Sequence, residues 1–189
     1  VSRAFATAKP HAVVHLAATH FIPACNARPY EAADVNIRGT MHVLEAAASS
    51  RVERVLFAST AAVYPIHDEA IPETLPTGPL DIYGLTKATG ERLVAGFHHE
   101  TGTAAINCRF FNAFGPNETN PHLIPEIARQ VNEGARVVKL GNLEPKRDFI
   151  HTSDMARAVR MLLERLDAGL LTVNLGRGVE YSVTELVDA

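Results

Sequence analysis

The pair whose types and spacing most directly suggest chemistry is Tyr83 and Lys87, in the run Tyr83-Gly84-Leu85-Thr86-Lys87. On a helix this spacing puts both side chains on one face, a turn apart. A cation beside a phenol favours the phenolate and lowers a pKa that otherwise lies at about 10. Such a tyrosine can take or give a proton near neutral pH. A second feature is the hydroxyl pair Ser59-Thr60, followed by Ala61-Ala62-Val63-Tyr64. Alone, a Ser-Thr pair there is more often a turn or a helix cap. The third is His15-Leu16-Ala17-Ala18, whose small residues would let a planar ligand approach the backbone or a helix pack closely. Arg147 offers a guanidinium fork for phosphate oxygens; a surface ion pair with Asp148 or Glu144 is the alternative.

These residues need elements to position them. Near-continuous apolar runs at 12–17, 54–59 and 104–110 predict strands buried on both faces. Between them, helical spacing predicts helices over 31–49 and 83–99. Strands joined by helical crossovers make a parallel α/β sheet, which binds ligands at the C-terminal ends of its strands. Past Phe111 the rhythm changes. Residues 112–117 read as a loop, 121–133 as a helix ending at Gly134, and 137–140 as a short strand. Thr152, Ser153 or Asp154 can cap a helix through Leu166, and 171–175 reads as another strand. Ser182-Val183-Thr184-Glu185 is a capping-box signature.

Composition narrows the function classes. The 189 residues are 47% hydrophobic with a net charge of −3, ordinary for a globular chain and without the basic footprint of a nucleic-acid or anionic-membrane binder. No apolar run is long enough to span a bilayer, and the first residues do not read as a signal peptide. Cys25 and Cys108 lie far apart and read as buried, reduced thiols of a cytoplasmic protein. No metal site is expected. His98-His99-Glu100 reads as a solvated helix end, His151 near Asp148 and Asp154 as a capping and loop-fixing residue, and Asp68, Glu69 and Glu73 as a solvated loop.

The order of the features carries more than any one of them. The segments His15-Leu16-Ala17-Ala18, Asn36-Ile37-Arg38-Gly39-Thr40, Ser59 to Tyr64, Tyr83 to Lys87, Arg109 to Pro116 and Arg147 to His151 run nearly from end to end. In this order the chain resembles the extended short-chain dehydrogenase/reductases, within the NAD-dependent epimerase/dehydratase family, and most closely the UDP-glucose 4-epimerase-like group. The resemblance implies a Rossmann-like, doubly wound parallel sheet with its first βαβ unit missing, plus part of a small α+β substrate domain. It assigns 1–112 and 153–176 to the NAD(P)-binding portion, and 113–152 and 177–189 to the substrate-binding part.

It also implies roles. Tyr83 would be the acid/base on the sugar hydroxyl, Lys87 would hold the nicotinamide ribose, and Thr60 would hydrogen-bond the reacting oxygen. Leu16, Ala17, Ala18, Asn36, Ser59 and Phe111 would lie along the NAD cofactor, with Tyr83 and Lys87. Asn112, Leu123 and Arg147, with Thr60, would face a nucleotide-diphosphate sugar. A homodimer through helices 31–50 and 83–99 is the implied assembly.

The departures are informative too. No Gly-x-x-Gly-x-x-Gly occurs and there is no initiating methionine, so the chain is expected to begin downstream of the turn that binds the dinucleotide pyrophosphate. Such a chain would bind NAD poorly by itself. Ala61 and Ala62 stand where related dehydratases carry an acidic pair, and alanine can neither donate nor accept a proton. That leaves NAD-dependent epimerisation of a nucleotide-activated hexose as the leading reading. Pro65, where a glycine is common, keeps an NADP(H)-dependent ketosugar reductase as the alternative. A truncated or non-catalytic dinucleotide-binding protein is the third.

Overall fold

Apolar runs flanked by helix-forming segments resolve into alternating strands and helices in the computed structural model, which describes residues 1–118 and 120–188. In chain order these are α1 (Ser2–Ala8), β1 (Ala12–His15), α2 (Ile22–Ala27), α3 (Pro29–Ala33) and α4 (Gly39–Ser49). A π-helical turn, Asp34–Arg38, joins α3 to α4. Next come β2 (Arg54–Thr60), α5 (Ile82–Thr101), β3 (Ala104–Phe110), β4 (Asn112–Phe114) and α6 (Leu123–Asn132). The chain continues through β5 (Lys146–His151), α7 (Thr152–Arg165), β6 (Leu170–Leu175), β7 (Glu180–Ser182) and α8 (Val183–Asp188). Two compact units result: Val1–Phe110 with Arg157–Leu175, and Phe111–Ala156 with Gly176–Ala189.

The first unit holds the parallel sheet that the apolar runs predict, in the order β1-β2-β3-β6. β2 and β3 take its centre, and their middle residues are buried throughout, which explains why they read as near-continuous apolar runs, broken by the buried Asn107 and Arg109 in β3. Leu44, Val55, Phe57, Val94 and Phe97 form the heart of the core between this sheet and helices α4 and α5. Burial of each such side chain contributes about 1.5–3 kcal/mol. α5 starts where Asp81 accepts the Gly84 N–H at 2.7 Å and stops at Gly102, whose φ of 72° suits a left-handed C-terminal residue. Asp81 is the start signal that a reading from Tyr83 overlooks.

The second unit carries a three-stranded sheet, β4-β5-β7, with β4 parallel and β7 antiparallel to β5. The capping box forms as its spacing predicts. Ser182 Oγ accepts the Glu185 N–H at 3.1 Å, and the Glu185 carboxylate accepts the Ser182 N–H at 2.7 Å. Gly134 closes α6 region with a φ of 84°.

Five local expectations change. β1, expected to be buried on both faces, lies at the edge of the four-stranded parallel sheet with Ala12 and Val14 exposed. Residues 112–114 form a strand rather than a loop, because β5 supplies a ladder partner far along the chain. Residues 137–140 form no strand; the Gln130 side chain bonds both the N–H and the C=O of Lys139, satisfying that backbone without a ladder. The helix expected over 31–49 is interrupted by the π turn. Glu73 is exposed, yet its carboxylate accepts the Asn174 N–H at 2.9 Å, so it is tied down rather than merely solvated.

Candidate active site

In the first unit the hydroxyl pair, the tyrosine and the lysine meet at the C-terminal end of β2. Thr60 is its last residue, and its Oγ accepts the Ala62 N–H at 3.1 Å, capping a short 3₁₀ turn at Ala61–Val63. The capping reading and the functional reading are compatible, since the Thr60 side chain also lies near enough to the Tyr83 phenol to act on its pKa. Close approach of α5 to this turn depends on Gly84: a Cβ there would overlap the Ala62 carbonyl oxygen and lie 3.1 Å from its carbon.

Lys87, only 3% exposed, donates through Nζ to the Ala58 carbonyl at 2.7 Å. Its ammonium stands 4.9 Å from the centre of the Phe57 ring and 5.9 Å from that of Tyr83. Burial pulls its pKa down from 10.5 to about 8, because a charge removed from water is destabilised. Tyr83 differs from the sequence expectation. Burial pushes its phenol up to about 12, opposed by the hydrogen bond from Thr60 and assisted by Cys25 and Asp81. Lys87 is directed at a backbone carbonyl, so in this chain desolvation outweighs the neighbouring cation.

The residues expected along a dinucleotide are distributed unevenly. Leu16, 59% exposed, and Ala17 lie open immediately beyond β1, and Ala18 is half-buried. Asn36 is buried. Its Oδ1 accepts the Thr19 N–H at 2.8 Å, and its Nδ2 donates to Thr19 O and Thr86 Oγ at 2.9 Å each. Its amide thus pins the segment after β1 to α5. Ser59 is buried as well, with its hydroxyl donating to Glu91 at 2.5 Å.

Behind them lies a network that the spacing of residues does not reveal. Thr40 gives its hydroxyl proton to Asn36 O at 2.6 Å. The 2.9 Å contact between Thr40 Oγ and His15 Nε2 must therefore be an Nε2–H donation. Burial, followed by the charge of Lys87, lowers the His15 pKa to about 4, and the ring stays neutral. Glu91 and Arg109 are buried too and form an ion pair at 2.7 Å. A buried acid facing a buried guanidinium is a sequence signal only once the packing of α5 against β3 is known.

In the second unit, Phe111 and Leu123 are half-buried. Asn112 Nδ2 donates to Asp148 O at 3.2 Å. Arg147 is exposed on β5 and donates to its neighbour's carbonyl, Lys146 O, at 2.7 Å. Asp148 accepts the Arg177 and Gly178 N–H groups at 2.8 and 2.7 Å, a tie that sequence reading missed. His151 fixes the start of α7, accepting the Ser153 N–H at 3.2 Å. In the first unit, His98 bonds Thr103 O at 2.8 Å while His99 and Glu100 are exposed, as a solvated helix end should be. Cys25 and Cys108 are free and buried. Among the described residues, no helix is long and apolar enough to cross a membrane.

Comparisons with known proteins agree with this geometry. The chain is 33% identical to the UDP-glucose 4-epimerase of Streptomyces lividans, over 93% of this chain and 58% of that protein. It is 32% identical to GDP-L-fucose synthase 1 of Arabidopsis thaliana, over 97% of this chain and 62% of that one. The structure of UDP-glucose 4-epimerase from Bifidobacterium longum with NAD⁺ and UDP superposes with a TM-score of 0.90 at 26% identity, over 99% of this chain and 62% of its own. The chain thus spans about three fifths of the length of these relatives. The model of the NAD dependent epimerase/dehydratase family matches residues 1–176, and the chain belongs to that family, with its Rossmann-type parallel α/β fold.

Proposed function

We propose that the protein is an NAD-dependent epimerase of a nucleotide-activated sugar. The observation that carries this reading is the Thr60–Tyr83–Lys87 cluster at the end of β2, beside two residues, Ala61 and Ala62, that can move no proton. Residues present fit the nicotinamide half of a dinucleotide: Leu16 and Ala17 lie open beyond β1, and the cluster lies at the same end of the parallel sheet. When bound, NAD supplies a reversible hydride acceptor. Tyr83 would first have to give up its own proton, a form that the Lys87 charge favours and burial opposes; as the phenolate it would take the hydroxyl proton while the sugar carbon is oxidised, and return it on reduction. Thr60 orients the phenol and the reacting oxygen. Lys87 offers a cation for the nicotinamide ribose and for the charge that develops on Tyr83.

On this reading the first unit holds the dinucleotide, with Leu16, Ala17 and Ala18 along its path and the buried Asn36 and Ser59 holding the ends of β1 and β2 behind it. The second unit takes the nucleotide diphosphate through Asn112, Leu123 and Arg147. The assembly is a homodimer through the helical segments 31–50 and 83–99.

Tyr83→Phe in the complete protein, supplied with NAD and a UDP-hexose, should lower kcat by about 10²–10⁴-fold. Unchanged turnover would sink the mechanism. A second reading, an NADP(H)-dependent ketosugar reductase, is favoured by the likeness to a GDP-6-deoxy-D-mannose reductase of Pseudomonas aeruginosa, 28% identical over 95% of this chain. Stoichiometric NADPH consumption would select it, and redox-neutral turnover the epimerase.

A further inference from the structure

We propose that Glu91 and Arg109 are positioning residues for the Thr60–Tyr83 pair, acting through a buried polar row that crosses the sheet directly beneath it. This rests on the reading of Thr60 and Tyr83 as the proton-handling groups. The register of the strands places Ser59 beside Arg109, and Arg109 beside Asn174, on three neighbouring strands. The next residue of β2 is Thr60. On α5, Tyr83, Lys87 and Glu91 follow at intervals of one turn and share a face. Each faces one of the last three residues of β2: Tyr83 acts on Thr60, Lys87 bonds Ala58 O at 2.7 Å, and Glu91 takes the Ser59 hydroxyl at 2.5 Å.

Arg109 is the hub of this row. Its Nε and Nη2 grip the two Glu91 oxygens at 2.9 and 2.7 Å. Its Nη1 donates to Tyr64 Oη at 2.6 Å and to Glu73 O at 3.1 Å. The Tyr64 hydroxyl passes its own proton to Asn174 Oδ1 at 2.7 Å, and Asn174 Nδ2 holds Ile71 O at 2.7 Å. One guanidinium therefore fastens α5, the end of β2 and the 64–73 segment that leaves the Thr60 turn. Stability alone does not call for this arrangement, because apolar residues of similar volume often replace a buried ion pair at no loss. What the fork adds is geometry: four donations from one rigid plane fix how far Thr60 stands from Tyr83.

The decisive test is the double variant Glu91→Leu/Arg109→Met in the complete protein, which leaves no buried charge unpaired. It should keep a near wild-type unfolding midpoint. Its kcat should fall by about 10- to 100-fold, with KM for the UDP-hexose changed less than about 2-fold, as misplacement of reacting groups predicts. The Lys87 titration, followed by NMR of labelled lysine, should move upward from about 8 as water reaches the loosened end of β2. A folded double variant with wild-type kcat and an unmoved Lys87 titration would overturn the proposal. Should the double variant fail to fold, Glu91→Gln keeps the volume and weakens only the charged fork. That variant should lose roughly 3- to 10-fold in kcat at constant KM, and an unchanged kcat there would equally overturn it. Absence of turnover in the wild-type protein would count against the epimerase reading instead, and the Lys87 titration would still decide the positioning role.

Discussion

Lys87 is destabilising where the chain is folded and its ammonium is charged, and this gives a stability signature independent of any assay of turnover. Its pKa falls from 10.5 to about 8 on burial. Below about 8 the side chain is charged in both the folded and unfolded states, and the full burial penalty applies. Between about 8 and 10.5 the unfolded chain binds more protons, so folding stability contributed by this residue rises with pH. Above 10.5 both states are neutral and the penalty is gone. Lys87→Met removes this dependence. Urea unfolding of variant and wild type should give a difference that shifts toward the wild type by on the order of 3 kcal/mol between pH ~7 and pH ~10.5. A difference independent of pH would show that the amine is hydrated in the folded protein. Tyr83 titrates the other way: its raised pKa costs stability only as pH climbs from 10 towards 12, and does so equally in both proteins.

At the scale of an element, α5 makes opposite demands on two of its glycines. Gly84 faces the Ala62 carbonyl so closely that a methyl group would overlap it, whereas Gly96 has nothing within 4 Å of its Cβ position. Gly84→Ala must push the first turn of α5 away from the Thr60 turn, costing about 1–3 kcal/mol and lowering kcat with it. Gly96→Ala should instead stabilise by about 0.8–1 kcal/mol through helix propensity, with kcat unchanged. Thermal unfolding and kcat measured on the two variants separate these outcomes. Equal and small effects at both positions would mean that α5 does not sit against β2 as described. The sequence marks this helix well, because its apolar spacing, Asp81 at the start and Gly102 at the end act within a turn of where they stand. It does not distinguish a glycine required for contact from one that is merely tolerated.

Over the whole molecule, the proposed dimer offers a test that uses the exposed apolar residues of the α3–α5 region. Met41 is 52% exposed and Leu85 is 51% exposed. Met41→Glu with Leu85→Glu should convert a sedimenting dimer to monomer, while surface substitutions of this kind change monomer stability by no more than about 0.5 kcal/mol each. Sedimentation of the wild type as a monomer at all concentrations would remove the dimer from the proposal. The first unit is discontinuous in sequence: β6 pairs with β3 although residues 111–156, which belong to the second unit, separate them along the chain.

What the sequence determined by itself was local or collinear. Buried parallel strands appear as apolar runs, Tyr83 and Lys87 share a helix face because of their spacing, and Ser182 with Glu185 closes a capping box within one turn. The ordered family segments likewise survive as a pattern along the chain, and the family follows from them. Tertiary structure decided what depends on partners distant in sequence. β4, β5 and β7 exist because each supplies the other with a ladder, and none has a long apolar run of its own. The row Ser59–Arg109–Asn174 arises from strand register, which no single segment encodes. The direction of the Tyr83 pKa was decided the same way. A lysine one turn away predicts a depressed phenol, but the sign rests on how much water the surrounding fold excludes and where the ammonium is aimed. Spacing records neighbours on one helix; burial is a property of everything packed around it.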